Sequence, residues 1–211
     1  MITDLLSGLL VSVEIFVFTL LVALPLGFPI ALGRMSPNRF VSGVLRLYIS
    51  VVRGTPLMLQ ISFVYFAPYI FFRVSLAHYP RLLATVIAFG LNYAVYFAEI
   101  YLGGILSIDR GQLDAAKALG LGKAQVFFHI VLPQTVKRVI PAIGNEVITL
   151  VKDTSLAFTI AVAEILTVAK QLSSANTTMM PLITAGVFYY IFNYIVAFGL
   201  ERIERRFSYY D

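Results

Sequence analysis

The residues able to do chemistry in this sequence are few, and most of them interrupt apolar runs. Asn92, Tyr96 and Glu99 stand four and three residues apart in the stretch 82–107, so on a helix they share one face. Farther on, Lys152-Asp153-Thr154-Ser155 sets adjacent opposite charges and two hydroxyls into another apolar stretch, with Glu146 two turns earlier. An ionisable group at membrane depth is costly unless it faces a cavity or a partner. These positions therefore read in two ways. They line a polar interior, or they are structural pairs, Glu99 with a basic side chain and Lys152 with Asp153. Irregular backbone at that depth is tolerated only against protein or water, and interrupted helices there often bind substrate, their N-termini favouring anionic groups. Glu14, in the first apolar run, must likewise face protein, water or the outer headgroups. Enzyme chemistry has little to build on. There are 0 cysteines, and His78 and His129 lie far apart with no metal-ligand spacing.

The elements that must position these groups follow from the composition. Of 211 residues 59% are hydrophobic and 13% charged, against about 25% charged in soluble domains. The net charge of +5 does not mark a nucleic-acid binder, because the basic residues sit at segment ends. Five apolar runs predict five transmembrane helices, at about 5–32, 56–72, 82–107, 139–162 and 181–200, in one domain covering 1–211. Pro25 and Pro29 predict a kink in the first, which lacks the basic start of a signal peptide and reads as a retained span. Phe40–Val52 has an amphipathic, helical cast, and Thr55 with Pro56 reads as the cap and first residue of the second span. Glu164 and Lys170 fall in an outer helix and loop, and the aromatic residues of the last span read as packing or interface belt. Of the 16 basic residues, Arg73, Arg81 and Lys170 fall outside, Lys152 lies within a span, and the rest lie inside. That bias places the N-terminus outside and the C-terminus in the cytoplasm.

Between the third and fourth spans lies a polar island, residues 109–133. Asp109 with Gln112 reads as a helix N-cap and its capping-box partner, and Gly120 with Gly122 as the stop. The helix between them carries Asp114 and Lys117 beside Ala115, Ala116, Ala118 and Leu119. Such a helix either lies on headgroups or presents small residues against which another protein's backbone can close.

Asp114-Ala115-Ala116, Gly120 four residues on, then Ile130 and Leu132-Pro133, resembles the EAA loop of ABC importer permeases. The spacing matches throughout, with Asp114 in place of the usual Glu. Three further strings resemble the polar amino-acid subfamily: Arg53-Gly54-Thr55-Pro56-Leu57 followed by Gln60, Ala98-Glu99 with Gly103-Gly104-Ile105, and Lys152 to Leu156. Leu102 stands where that subfamily usually has Arg, so whatever that arginine does in relatives has no counterpart at this position.

The resemblance implies an all-α polytopic membrane protein with the type I ABC importer permease fold, in a prokaryotic inner or plasma membrane. It implies that Gln112, Leu113, Asp114, Ala115, Ala116, Lys117, Ala118, Leu119 and Gly120 form a coupling helix docking into an ATP-hydrolysing subunit. No Walker lysine motif occurs in the chain, so ATP and Mg are expected on two partner subunits and no cofactor on this one. A second permease copy or close paralogue and an extracytoplasmic substrate-binding protein complete the expected assembly. For the amino acid we single out Asn92, Tyr96, Glu99, Glu146, Asp153, Thr154 and Ser155. A zwitterion needs an acid for its ammonium and donors for its carboxylate, and the several intramembrane acids favour basic amino acids such as arginine, lysine or histidine. The competing reading is a secondary transporter driven by an ion gradient, which could use the same buried acids but has no need of a docking loop.

Overall fold

The computed structural model describes residues 1–75 and 79–207; His78 and the centre of the predicted outer loop lie outside the described residues. The described chain is helical. Ile2–Arg34 forms α1, Arg39–Gly54 α2, Leu57–Phe72 α3, Arg81–Leu106 α4 and Arg110–Ala118 α5. Lys123–Val126, α6, runs through a π-helical turn at Phe127–Val131 into α7, Leu132–Asp153, which tightens into a 3-10 segment at Thr154–Ile160. Ile165–Asn176, α8, and Met180–Phe207, α9, complete the described chain.

Four stretches are long and apolar enough to cross a membrane by themselves: Ile2–Arg34, Arg81–Leu106, Lys123–Ile160 and Met180–Phe207. The predicted second span differs. α3 has 16 residues, about 24 Å at 1.5 Å per residue and short of the ~20 residues a span needs. It becomes the fifth candidate only together with α2, from which it is bent by 111°. The helix starts at Leu57 after Pro56, not at Pro56 after Thr55, because the Thr55 hydroxyl turns back to donate to the Val51 carbonyl.

The frame is the pairing of α1 with α4. Val22 meets Gly90, and Gly27 meets Ala94, Phe97 and Ala98, so the two helices run parallel. At Gly27 an added Cβ would stand 3.0 Å from the Ala94 carbonyl oxygen and 3.1 Å from the Ala98 nitrogen. In lipid, where apolar burial between helices gains little, such close backbone contact is what holds a pair together. α1 continues through Pro25 and Pro29, and the Tyr101 hydroxyl donates to the Leu24 carbonyl beside them. α3 and α7 also pack on α4, around a core that includes Ile61, Phe89, Phe97, Leu150 and Val151.

The fourth span also starts and breaks differently from the prediction. Its helix reaches back across the π-helical turn to Lys123. At 152–155 the helix is not opened; it tightens from α to 3-10 at Thr154, and the chain turns only at Ala161, whose φ is 54°. No free helix N-terminus is therefore created at Lys152–Ser155. The reason is local: the Thr154 and Ser155 hydroxyls donate to the Val151 and Lys152 carbonyls, completing the tightened turn.

Candidate functional site

The polar face of α4 is where the predicted residues can be followed one by one. Asn92 is 4% exposed, and its amide donates to Oε1 of Gln60 at 2.9 Å. Gln60 in turn donates to the carbonyls of Val52 and Thr55 and to the Thr55 hydroxyl, at 2.9, 3.0 and 2.9 Å. Carbonyls at a helix end lack intrahelical partners, so the two amides pin the bend between α2 and α3. Asn92 acts here as a clasp.

Two turns along the same face, Glu99 is held by two guanidinium groups. Oε1 accepts from Nη1 of Arg34, in the last turn of α1, and Oε2 from Nη1 of Arg53, near the end of α2, at 3.4 Å. The carboxylate is 27% exposed and Arg53 52% exposed. They border a cavity of about 550 Å³ lined by Arg34, Arg46, Ile49, Ser50, Arg53, Gly54 and Glu99. The Arg53 guanidinium carbon lies 6.0 Å from the centroid of the Tyr96 ring, within reach of a cation–π contact.

Asp153 is met from α4 by a residue the sequence reading passed over. The Tyr93 hydroxyl donates to Oδ2 of Asp153 at 2.7 Å, and the Tyr93 ring stacks on Phe89 and touches Tyr96. Lys152 is exposed and forms no salt bridge with Asp153. Glu146, on the Asp153 side of α7, is half-buried and makes no hydrogen bond or salt bridge among the described residues. Thr154 is fully buried and Ser155 half-buried, both with hydroxyls engaged on the local backbone. The structure thus gathers Tyr96 with Glu99 and Arg53 on one side and Tyr93 with Asp153 on the other, while Asn92 and Thr154 are committed to backbone or amide partners.

Besides Tyr93, three functional groups escaped sequence reading. Arg34 and Arg53 looked like connector charges, and only their position at helix ends hinted that they could turn inward. Glu164 fell in the expected outer helix and loop, yet it is 0% exposed. It caps α8, accepting from the Leu166 and Thr167 amides and from the Thr167 and Tyr189 hydroxyls. Its place directly before Ile165-Leu166 was the signal for a cap.

At the other end of α4, α5 forms as the glycines and Asp109 predict. Asp109 Oδ1 accepts from the Gly111 amide. The capping box does not form, since Gln112 accepts from the Gln134 amide at 2.7 Å instead. At the C-terminus Gly120, with φ 72°, and Leu121 donate to the carbonyls of Lys117 and Ala116, a Schellman closure. Ala116 is buried and Leu113 half-buried, whereas Ala115, Lys117, Ala118 and Leu119 face out. Asp114 pairs with Lys117 at 2.9 Å, both largely exposed. Arg138 donates to the Ser107 carbonyl and hydroxyl, tying the base of α7 to the end of α4. The result is a short helix with one face on its own subunit and one face free.

Against known proteins, the pattern of the family described as "Binding-protein-dependent transport system inner membrane component" matches residues 23–209. The octopine transport system permease protein OccM of Rhizobium radiobacter is 40% identical over 207 residues, covering 92% of this chain and 81% of that protein. The arginine transport system permease protein ArtQ of Bacillus subtilis is 36% identical, covering 95% and 91%. Other relatives are named for L-cystine and glutamine. Among solved structures, one described as an amino acid ABC transporter with histidines superposes with a TM-score of 0.88 at 30% identity, covering 97% of this chain and 94% of that one.

Proposed function

We propose, from the premise that this chain belongs to the family of binding-protein-dependent transport system inner membrane components and is a permease subunit of an amino-acid ABC importer, that it passes basic amino acids such as arginine, lysine or histidine. The observation that carries this reading is the pair of acids Glu146 and Asp153 two turns apart on α7, with the Tyr93 hydroxyl of α4 on Asp153 and Tyr96 against the Tyr93 ring. Glu99 is already neutralised by two arginines, so Glu146 and Asp153 are the acids left for a cationic side chain. Names among the relatives point both ways, since arginine is basic while L-cystine and glutamine are not. Tyr96 and Ser155 belong to the same lining in this reading, and Asn92 and Thr154 shape it through the backbone. Membership of this family leaves no role for the ion-gradient alternative.

ATP hydrolysis belongs to two partner subunits, which bind ATP and Mg. Residues Gln112 to Gly120 dock into them through the free face of α5, and their closure moves this helix as a lever that switches access to the central cavity. A second copy or close paralogue completes the pathway, a substrate-binding protein delivers the amino acid from outside, and the N-terminus lies outside with the C-terminus in the cytoplasm. The test is ATPase activity in proteoliposomes with the co-purified ATPase subunits, the binding protein and a panel of amino acids. Stimulation confined to basic amino acids supports the reading; equal stimulation by neutral ones removes the basic preference.

A further inference from the structure

We infer that Arg53 binds the carboxylate of the transported amino acid, and that in the empty protein the Glu99 carboxylate holds that place. The inference rests on the amino-acid permease reading and adds to it a residue that reads the amino-acid headgroup rather than its side chain.

Three observations carry it. First, the two arginines hold Glu99 unequally. Arg34 makes the closer contact, while Arg53 reaches Oε2 only at 3.4 Å and is 52% exposed. Arg53 is therefore the partner that can be released without stripping Glu99 of its cation. Second, the cavity they border, about 550 Å³, falls within the ~300–1,000 Å³ of small-molecule sites. Its wall carries three guanidinium groups, from Arg34, Arg46 and Arg53, against the single carboxylate of Glu99, and Arg46 has no hydrogen bond or ion pair among the described residues. The charge that this wall lacks is negative. Third, Arg53 is held in place before any ligand arrives. It stands in the last turn of α2 beside the bend that Gln60 and Asn92 pin, with its guanidinium near the Tyr96 ring.

An amino-acid headgroup fits this arrangement because it is itself an ion pair. Inserted between Arg53 and Glu99, it gives its carboxylate to the guanidinium fork, which suits bidentate binding, and its ammonium to the Oε2 that Arg53 releases. Every charge exchanges one partner for another, so none is left buried and unpaired, the outcome that would be costly.

The experiment uses the permease with its ATPase subunits in nanodiscs, without the binding protein. Equilibrium binding of radiolabelled arginine, histidine and glutamine is measured, with the amide of each amino acid as competitor. The parent should prefer the free acid over its amide. Arg53→Gln should weaken binding of the acid roughly ten- to hundredfold, as expected for a lost hydrogen bond to a charged group, and should bring acid and amide to similar affinity. Arg53→Lys keeps the charge without the fork, so it should restore part of the affinity and guards against a Gln variant that fails to fold. Preference for the acid undiminished in either folded variant overturns the inference and leaves the permease reading intact. A parent that binds none of the amino acids overturns that reading and the inference with it.

Discussion

Tyr189, on α9, donates its phenolic proton to Oε2 of Glu164 at 2.9 Å, and so joins the last span to the cap of α8. The same region is tied to α1, where the Ser12 hydroxyl accepts from the Ile165 amide at 3.4 Å. Glu164 is thus the buried meeting point of three helices near the start of α1. Tyr189→Phe removes one donor to a buried carboxylate and should lower stability by about 1.5–3 kcal/mol, read by denaturant unfolding in detergent. A loss within error would mean that water replaces the phenol.

Glu164 also predicts a dependence on pH. Burial pushes its carboxyl above the ordinary value of 4.5, opposed by the amide and hydroxyl donors around it. A carboxyl raised in the folded state contributes most below 4.5 and loses that contribution as pH climbs through its folded value. The parent should therefore lose stability along that climb, and Glu164→Gln, which does not ionise, should lack that part of the slope. Identical profiles would remove Glu164 from the balance.

Gly120 closes α5 with φ 72°, a conformation costing other residues about 1–2 kcal/mol. Gly120→Val should leave the membrane-spanning helices inserted, because nothing lies within 4 Å of the added Cβ. It should nevertheless distort the end of α5 and uncouple ATP hydrolysis from uptake. Parallel measurement of both activities checks this; coupled transport in a folded variant would count against α5 as the lever.

Asp153→Asn keeps an acceptor for the Tyr93 hydroxyl while removing the charge. Uptake of basic amino acids should fall about tenfold or more, the usual scale of a charged hydrogen bond, with neutral substrates less affected. Unchanged uptake would take Asp153 out of the site.

Gly27→Leu should be a damaging packing change in the first span. Its Cβ would meet backbone and the Phe97 Cβ at 3.0–3.1 Å, atoms that cannot swing away. Overpacking of this kind costs about 1–3 kcal/mol. A lower unfolding temperature, with α1 and α4 separating first in cross-linking, is the expected result.

What the sequence determined by itself was local, though not every cap and break. The apolar runs fixed the helices, Asp109 and Gly120 fixed the ends of α5, and the spacing from Asp114 to Pro133 identified the loop. The 3.6-residue period put Asn92, Tyr96 and Glu99 on one face. The period does not say what that face meets. Glu99 finds Arg34 and Arg53 across 65 and 46 residues of chain, Asn92 finds Gln60 across 32, and Tyr93 finds Asp153 across 60. These pairings depend on the angle at which helices cross and on glycines that let α1 approach α4, so only the tertiary structure decided them. It turned one predicted pathway residue into a clasp, gave another two cationic partners, and buried an acid that had been expected only in an outer helix and loop.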